Sequence, residues 1–306
     1  MSLPSDRFTG VLAAAVTPLK SDLSVDGAAM TAHSKWLLAN GCDGLAILGT
    51  TGEANSLGLG ERIRVIEGLV EDGIPGEKLM PGTGSCTIPD AVSLTRVAVN
   101  AAARGVLMLP PFYYKNPSDE GLFAYFSEVI QQVGDDRLKI YLYHFPQMSA
   151  TPISYNLIEM LLKAYPDTVV GMKDSSGNLE NMTGAAENFP GFCVLAGADD
   201  CLLPLLEAGG GGCITACCNV VSPLAAEVYK GFKNGDDVSA ANATLTKIRQ
   251  EVSKFPGPPA QKALLARHAG NDEMLSVRPP LMQLSDEQSN ALFAAFDDTG
   301  FKMADL

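Results

Sequence analysis

Eight short apolar runs alternate with longer amphipathic stretches along most of the 306-residue chain. Each run is apolar throughout, which is typical of parallel strands that are buried on both faces. Eight successive strand–helix units without a break in composition predict an α/β chain folded as a (β/α)8 TIM barrel. The predicted strands are residues 11–16, 44–48, 78–81, 105–109, 139–143, 168–172, 192–196 and 212–216.

Amphipathic stretches between and after these runs predict the helices. Three of them follow the last strand and indicate a C-terminal helical extension or a small second domain. We therefore predict a barrel that carries the active site in residues 1–235 and a C-terminal helical region in residues 236–306. The first strand–helix connection lacks a Gly-x-Gly-x-x-Gly loop, which disfavours an open dinucleotide-binding sheet. The predicted helices are residues 28–39, 59–70, 89–103, 120–133, 154–164, 178–188, 202–208, 236–254, 259–270 and 285–297.

Charge and composition restrict the partners of the chain. A net charge of −13 argues against nucleic-acid and anionic-membrane partners, and no segment approaches the ~20 apolar residues of a membrane span. The first ten residues lack the features of a signal peptide, and seven cysteines without a CxxC pair suit reduced thiols, so a cytoplasmic location is expected. Three histidines and unsuitable cysteine spacing predict no metal site.

Lys173 ends the sixth predicted strand, where an apolar stretch stops at a single amine. In a barrel of this type the functional groups lie at the carboxyl ends of the strands. An apolar wall desolvates such an amine and favours its neutral form, which attacks ketones to form a Schiff base. A lysine that extends its amine into solvent is the alternative for this segment alone.

Two other strand ends carry hydroxyl groups. Thr50 and Thr51 lie in a glycine-flanked turn whose hydroxyl and N–H groups suit a carboxylate. Tyr143 ends the fifth predicted strand and is a candidate proton donor and acceptor. Taken singly, an ordinary Gly-Thr turn and a core tyrosine explain these residues. Together with Lys173 they form the set that Schiff-base chemistry on a 2-oxo acid requires.

The remaining strand-end residues have weaker functional interpretations. Asp199 and Asp200 are predicted to cap the helix after the seventh strand. His144 is expected to point away from the barrel interior because strand side chains alternate. Tyr113 and Tyr114 indicate aromatic lining, packing or an interface contact.

The chain resembles the family of dihydrodipicolinate synthase and N-acetylneuraminate lyase, the pyruvate-dependent class I aldolases. The resemblance covers essentially the whole chain. It implies a (β/α)8 barrel with a C-terminal helical region, a homotetramer built from dimers, and no cofactor besides the covalent Schiff base with pyruvate or another small 2-oxo acid. The segments that carry it are Gly49-Thr50-Thr51-Gly52-Glu53, Pro111-Phe112-Tyr113-Tyr114, Tyr143-x-x-Pro146, Gly171-x-Lys173 and Gly212-Cys213-Ile214-Thr215.

The resemblance implies a role for each matched residue. Lys173 would form the Schiff base and Tyr143 would relay protons. Thr50 and Thr51, next to Gly49, would bind the carboxylate of pyruvate, and Thr51 would also link the phenol into the proton relay.

The resemblance places other residues around this centre. Tyr114 of a neighbouring subunit would complete the relay, and Ile214 would line the pocket. Ser175, two residues after the lysine, occupies a lyase-type substrate-binding position. Met148 stands where true synthases carry an arginine that binds the carboxylate of aspartate semialdehyde, and a thioether cannot replace that guanidinium.

The sugar-binding pattern of the lyase branch is also incomplete, because Ala198 and Ala216 replace residues of that site. We therefore expect a lyase or aldolase for another unphosphorylated 2-oxo acid, such as a 2-keto-3-deoxy sugar acid or 4-hydroxy-2-oxoglutarate. The alternatives are a dihydrodipicolinate synthase-type condensation, a 2-keto-3-deoxy acid dehydratase that uses the same lysine, and a non-catalytic metabolite-binding barrel. A metal-dependent aldolase is disfavoured because no histidine and carboxylate cluster lies at the strand ends.

Overall fold

Seven parallel strands form one curled sheet in the computed structural model, which describes residues 3–305. The strands are β1 (Gly10–Ala13), β2 (Gly44–Leu45), β3 (Val106–Met108), β4 (Ile140–His144), β5 (Val169–Asp174), β6 (Cys193–Ala196) and β7 (Gly212–Thr215). Their order across the sheet is β2-β1-β7-β6-β5-β4-β3, so the first strand pairs with the last. β2 is shorter than predicted, and Leu48, the last residue of the predicted run, takes a positive φ of 56° that does not fit a strand.

The third predicted strand, residues 78–81, is not a full strand. Leu79 forms one isolated parallel bridge with Leu45 of β2, and Gly82 forms another with Leu107 of β3. A 3-10 turn at Gly76–Lys78 runs directly into this segment, and the proline at position 81 has no N–H to donate to a ladder. The segment therefore contacts both edge strands of the sheet without completing a regular ladder with either.

Helices follow the strands and cover one face of the sheet. They are α1 (Gly27–Ala39), α2 (Leu59–Glu71), α3 (Ile88–Asn100), α4 (Asp119–Val133), α5 (Pro146–Ser149), α6 (Tyr155–Ala164), α7 (Leu179–Asn188), α8 (Leu202–Glu207), α9 (Cys218–Asn234), α10 (Ser239–Val252), α11 (Gly257–Ala269) and α12 (Asp286–Asp297). Several of these helices begin with a side-chain N-cap. At the start of α4, for example, the Ser118 hydroxyl accepts a hydrogen bond from the N–H of Gly121. None of the helices in residues 3–305 has the length and apolar character needed to cross a bilayer.

Strand residues alternate between two apolar clusters. On β4, Ile140 and Leu142 pack with helix residues in the first cluster, whereas Tyr141 and Tyr143 belong to a second cluster that contains no helix residue. Because strand side chains have a period of two, the second cluster marks the inner face of the curled sheet. Lys173 pairs in register with Tyr143, which places both side chains on that inner face.

Tyr141 fills the inner face two residues below Tyr143. Its side chain is fully buried, and its hydroxyl accepts a hydrogen bond of 2.5 Å from the N–H of Phe8. A Cβ at Gly105 or Gly171 would lie 2.8 or 2.7 Å from the ring, so only glycine leaves room for it at these two positions. The ring therefore closes the inner face about 7 Å below Tyr143, at the usual rise per strand residue.

Candidate active site

Lys173 and Tyr143 lie side by side at the carboxyl ends of β5 and β4. The Lys173 Nζ atom is 3.5 Å from the Tyr143 hydroxyl and 4.5 Å from the centroid of its ring. Both side chains are about 95% buried, with exposed fractions of 5% and 4%. The amine thus faces a phenol at hydrogen-bond distance in a nearly dry environment, an arrangement that suits nucleophilic attack and proton transfer.

Thr50 extends this pair across the sheet. Its Oγ1 atom is 3.3 Å from the Tyr143 hydroxyl, so the phenol has a partner on each side. The turn that carries Thr50 is shaped by Leu48 and Glu53, both in the left-handed region. Gly52 packs so closely against the Ala15 carbonyl that a Cβ would come within 2.9 Å of it. The glycine-flanked turn therefore sets the threonine hydroxyl against β4.

Thr51 differs from the role that the resemblance implied. Within residues 3–305 the hydroxyl bonded to Tyr143 belongs to Thr50, and Thr51 shows no such bond. Adjacent residues of a turn point their side chains in different directions, so only one of the two hydroxyls reaches the phenol. The predicted link through Thr51 is wrong in this respect, although Thr51 stays half-buried beside the site.

The other predicted site residues lie at different depths. Ile214 on β7 is fully buried in the inner cluster, Ser175 follows β5 and is half-buried, and Gly49 has open space where a Cβ would stand. Met148 on α5 and Tyr114 before α4 are exposed by 62% and 82%. The structure thus brings Lys173, Tyr143 and Thr50 together, and leaves Tyr114 outside their hydrogen-bond network in the described chain.

Tyr113 stacks edge-on against Tyr114, with ring centroids 5.3 Å apart. Both rings are largely exposed on the loop between β3 and α4. Two adjacent exposed tyrosines are typical of a contact surface, since aromatic residues are enriched at interfaces.

His144 and the aspartate beside it have structural roles. The Nδ1 atom of His144 accepts from the N–H of Ile153, and burial lowers the pKa of this histidine while the Asp174 charge opposes the shift. The Asp174 carboxylate accepts from Ser176 and Asn181. Both side chains hold the loops after β4 and β5, on the side away from Lys173.

Asp199 does not cap the helix after β6, contrary to the prediction. α8 begins without a side-chain cap, and the Oδ1 atom of Asp199 instead accepts from the Thr215 hydroxyl at 2.6 Å. Burial raises the pKa of this carboxyl group. The residue therefore ties the end of β6 to the end of β7.

Glu53 is a site residue whose partner the sequence analysis missed. Its buried carboxylate pairs with Lys262 of α11 at 2.5 Å and accepts the N–H of Arg278 at 2.9 Å. Burial lowers the pKa of Lys262, and the bond to Glu53 opposes this shift. The last residue of the threonine turn is thus anchored by the C-terminal helical region.

Arg62 is a second residue without a sequence signal. It is 7% exposed and donates from Nη2 to the carbonyl oxygens of Gly82 and Gly84. Together with Thr50 and Tyr143 it lines a cavity of about 20 Å³. Two larger cavities, of about 310 and 340 Å³, lie away from Lys173, so cavity size alone would not locate the strand-end cluster.

Comparison with known proteins agrees with this geometry. The model of the dihydrodipicolinate synthetase family matches residues 7–298. The chain belongs to this family. Its members are pyruvate-dependent class I lyases and aldolases, and the chain is an enzyme of that type.

Individual relatives of the family cover nearly the full chain. A protein named as an uncharacterized DapA-like lyase from Chloroflexus aurantiacus is 34% identical over 290 residues, which are 94% of this chain and 96% of that protein. Dihydrodipicolinate synthase from Agrobacterium tumefaciens has a TM-score of 0.89 at 33% identity and covers 95% of this chain and 99% of its own. YagE, a prophage protein of Escherichia coli K12 solved with pyruvate, has a TM-score of 0.87 at 26% identity and covers 96% and 99%.

Proposed function

We propose that the protein cleaves or forms a carbon–carbon bond next to a 2-oxo acid through a Schiff base on Lys173. The observation that carries this proposal is the 3.5 Å contact between Lys173 Nζ and the Tyr143 hydroxyl, continued by the 3.3 Å contact to Thr50. Each group has one function in this scheme: the amine is the nucleophile, the phenol moves protons, and the threonine turn binds the substrate carboxylate.

In the cleavage direction, the Lys173 amine first attacks the keto carbon C2 of the substrate. The resulting carbinolamine takes a proton from Tyr143 and loses water to give an iminium. Tyr143 then takes the proton of the C4 hydroxyl, the C3–C4 bond breaks, and its electron pair enters the iminium to form an enamine while an aldehyde leaves. Tyr143 then gives this proton to C3 of the enamine, and water hydrolyses the resulting iminium, which releases pyruvate and restores the amine and the phenol. The iminium is the electron sink, so the proposal requires no metal and no organic cofactor.

The substrate is proposed to be an unphosphorylated 2-keto-3-deoxy sugar acid or 4-hydroxy-2-oxoglutarate. Support comes from Met148, which is exposed at the rim where a synthase would present an arginine. A thioether offers no charged donor to the carboxylate of aspartate semialdehyde. Gly49, Thr51, Ser175 and Ile214 are proposed as further substrate contacts. A dehydratase acting through the same lysine is the second outcome that substrate screening would distinguish.

We also propose the assembly that surrounds this site. The segment Leu79–Gly82, which bridges β2 and β3, is proposed as the eighth strand of a closed (β/α)8 barrel spanning residues 1–235, with residues 236–306 as its helical extension. The exposed Tyr113–Tyr114 pair supports a contact between subunits of a cytoplasmic homotetramer, in which Tyr114 reaches a neighbouring site.

Borohydride trapping in the presence of pyruvate tests the chemistry. The expected result is a reduced pyruvyl adduct that peptide mass mapping places on Lys173, and no adduct in the Lys173→Met variant. The matched control is Lys163→Met on α6, which should trap pyruvate like the wild type. An adduct on another lysine, or none from the folded wild type, would refute the assignment and favour a non-catalytic binding barrel.

A further inference from the structure

A second cavity, of about 340 Å³, lies at the opposite end of the sheet from Lys173; we call it the basal pocket. Its walls come from Arg7 before β1, Arg104 before β3 and Gly210 before β7. These residues precede parallel strands, whereas Lys173 lies at a carboxyl end. The fully buried Tyr141 ring separates the two ends, so the basal pocket is not part of the proposed active site.

Three cations converge on the basal pocket in a chain whose net charge is −13. They are Arg7, Arg104 and Lys233, and none of the described residues lining the cavity is an aspartate or glutamate. Arg7 pairs with Asp6 at 2.9 Å, but Asp6 is half exposed and is not part of the wall. The lining thus carries three positive charges, of which Asp6 offsets one, and the remaining excess leaves a local positive field that attracts anions.

The two guanidinium groups are held in place by the backbone. Arg104 donates from Nη2 to the carbonyl oxygens of Ser5 and Arg7, and its guanidinium lies 5.2 Å from the centroid of the Phe8 ring. Arg7 donates from Nε to the Gly191 carbonyl oxygen. Each group keeps further N–H donors beyond these bonds. A planar guanidinium fixed in this way loses little rotamer freedom when it binds an oxyanion.

Lys233 closes the basal pocket from the last turn of α9. Its Nζ lies 5.7 Å from the centroid of the Tyr229 ring and has no salt-bridge partner within residues 3–305. Tyr229 and Gly210 also line the wall. The space is concave and of small-molecule size, which fits a metabolite and excludes an extended polymer.

We infer that the basal pocket binds a small multivalent oxyanion, with phosphate or carboxylate groups received by Arg7, Arg104 and Lys233. A guanidinium can bind either kind of group through two parallel hydrogen bonds, and an ammonium attracts either through its compact positive charge. This site is independent of the Schiff-base chemistry, because no residue of the proposed active site contributes to it.

Isothermal titration calorimetry of the full-length protein with pyrophosphate and with citrate, at low ionic strength, tests whether the basal pocket binds anions. We expect one site per chain, and the tighter ligand of the two identifies the preferred group. Lys233→Gln should weaken binding about tenfold or more, since it removes a charge-assisted contact, and added salt should weaken it further.

The matched control is Lys230→Gln, which removes the same charge from an exposed position on the same helix outside the basal pocket. This variant should bind like the wild type. Equal weakening by both substitutions would indicate a diffuse effect of net charge and overturn the proposal. So would unchanged binding in Lys233→Gln, or no binding of either anion to the wild type.

Discussion

The carboxylate of Glu53 and the ammonium of Lys262 form an ion pair of 2.5 Å between two fully buried side chains, 209 residues apart in the chain. Glu53 closes the turn that presents Thr50, and Lys262 lies in α11. Residues of the C-terminal helical region therefore stabilise the wall of the candidate active site through a buried charge pair.

Replacement of Lys262 by Met should destabilise the protein by about 3–5 kcal/mol, because it leaves the Glu53 carboxylate buried without its partner. Urea unfolding monitored by circular dichroism measures the change. The control is Lys254→Met, which breaks an exposed ion pair with Glu251 and should cost less than about 1 kcal/mol. Similar urea midpoints for Lys262→Met and Lys254→Met would show that the buried ion pair contributes little to stability.

The Tyr143→Phe variant should separate Schiff-base formation from turnover. The amine is retained, so borohydride still traps pyruvate on Lys173 at long incubation, although more slowly because Tyr143 also donates the proton for carbinolamine dehydration. In contrast, kcat falls by about 10²- to 10⁴-fold because the general acid–base group is lost. Tyr155→Phe removes a phenol that donates to the Asn181 carbonyl oxygen away from the site, and it should keep kcat near the wild-type value. Full activity of Tyr143→Phe would exclude the phenol from proton transfer.

Met148→Arg should place a positively charged, carboxylate-binding side chain at the rim of the candidate active site. We expect kcat/KM for condensation of pyruvate with aspartate semialdehyde to rise about tenfold or more, the value of one hydrogen bond to a charged group. Met282→Arg provides the control, because Met282 is also exposed, by 75%, and the substitution changes the net charge equally. An equal rise of kcat/KM in both variants would mean that the added positive charge attracts the anionic substrate from a distance. Position 148 would then have no specific role.

The pairing of Glu61 with Arg278 should make stability depend on pH. Hydrogen bonds from Arg278 lower the pKa of Glu61 from 4.5 to about 2. Since the folded pKa lies below the unfolded one, the stabilisation is present above pH 4.5 and is lost as the pH falls toward 2. Glu61→Gln should therefore lose less stability between pH 7 and pH 3 than the wild type, as measured by thermal unfolding.

Glu67→Gln is the matched control for this pH series, because Glu67 is an exposed residue of the same helix α2. Its stability should follow the wild-type pH profile. A flattened profile in Glu67→Gln as well would attribute the effect to overall charge.

The positions of the strand-end residues follow from local patterns in the sequence. An apolar run that stops at Lys173 or Tyr143 places the side chain at the rim of a parallel sheet, and the hydrogen bonds between them follow from strand register. The choice of Thr50 over Thr51 as partner of Tyr143 depends on dihedral angles of the turn, which residue types alone do not determine.

Long-range partners and interrupted elements were harder to predict. The pairing of Glu53 with Lys262 has no local signal, because the two residues meet only after the whole chain has folded. Helix α9 was absent from the predicted helices; it contains Pro223 and has a non-helical Val221 near its start. Proline lacks the N–H of a regular helix, which hides a helix of this kind from a periodicity analysis.

The Tyr141 ring has a kinetic consequence. Because it closes the inner face beneath Lys173, both products of the proposed cleavage must depart through the same mouth. The pyruvyl group is held covalently at the bottom, and the aldehyde lies nearer to solvent. Release is therefore expected to be ordered, with the aldehyde first and pyruvate last, so that pyruvate acts as the competitive product inhibitor of the free enzyme.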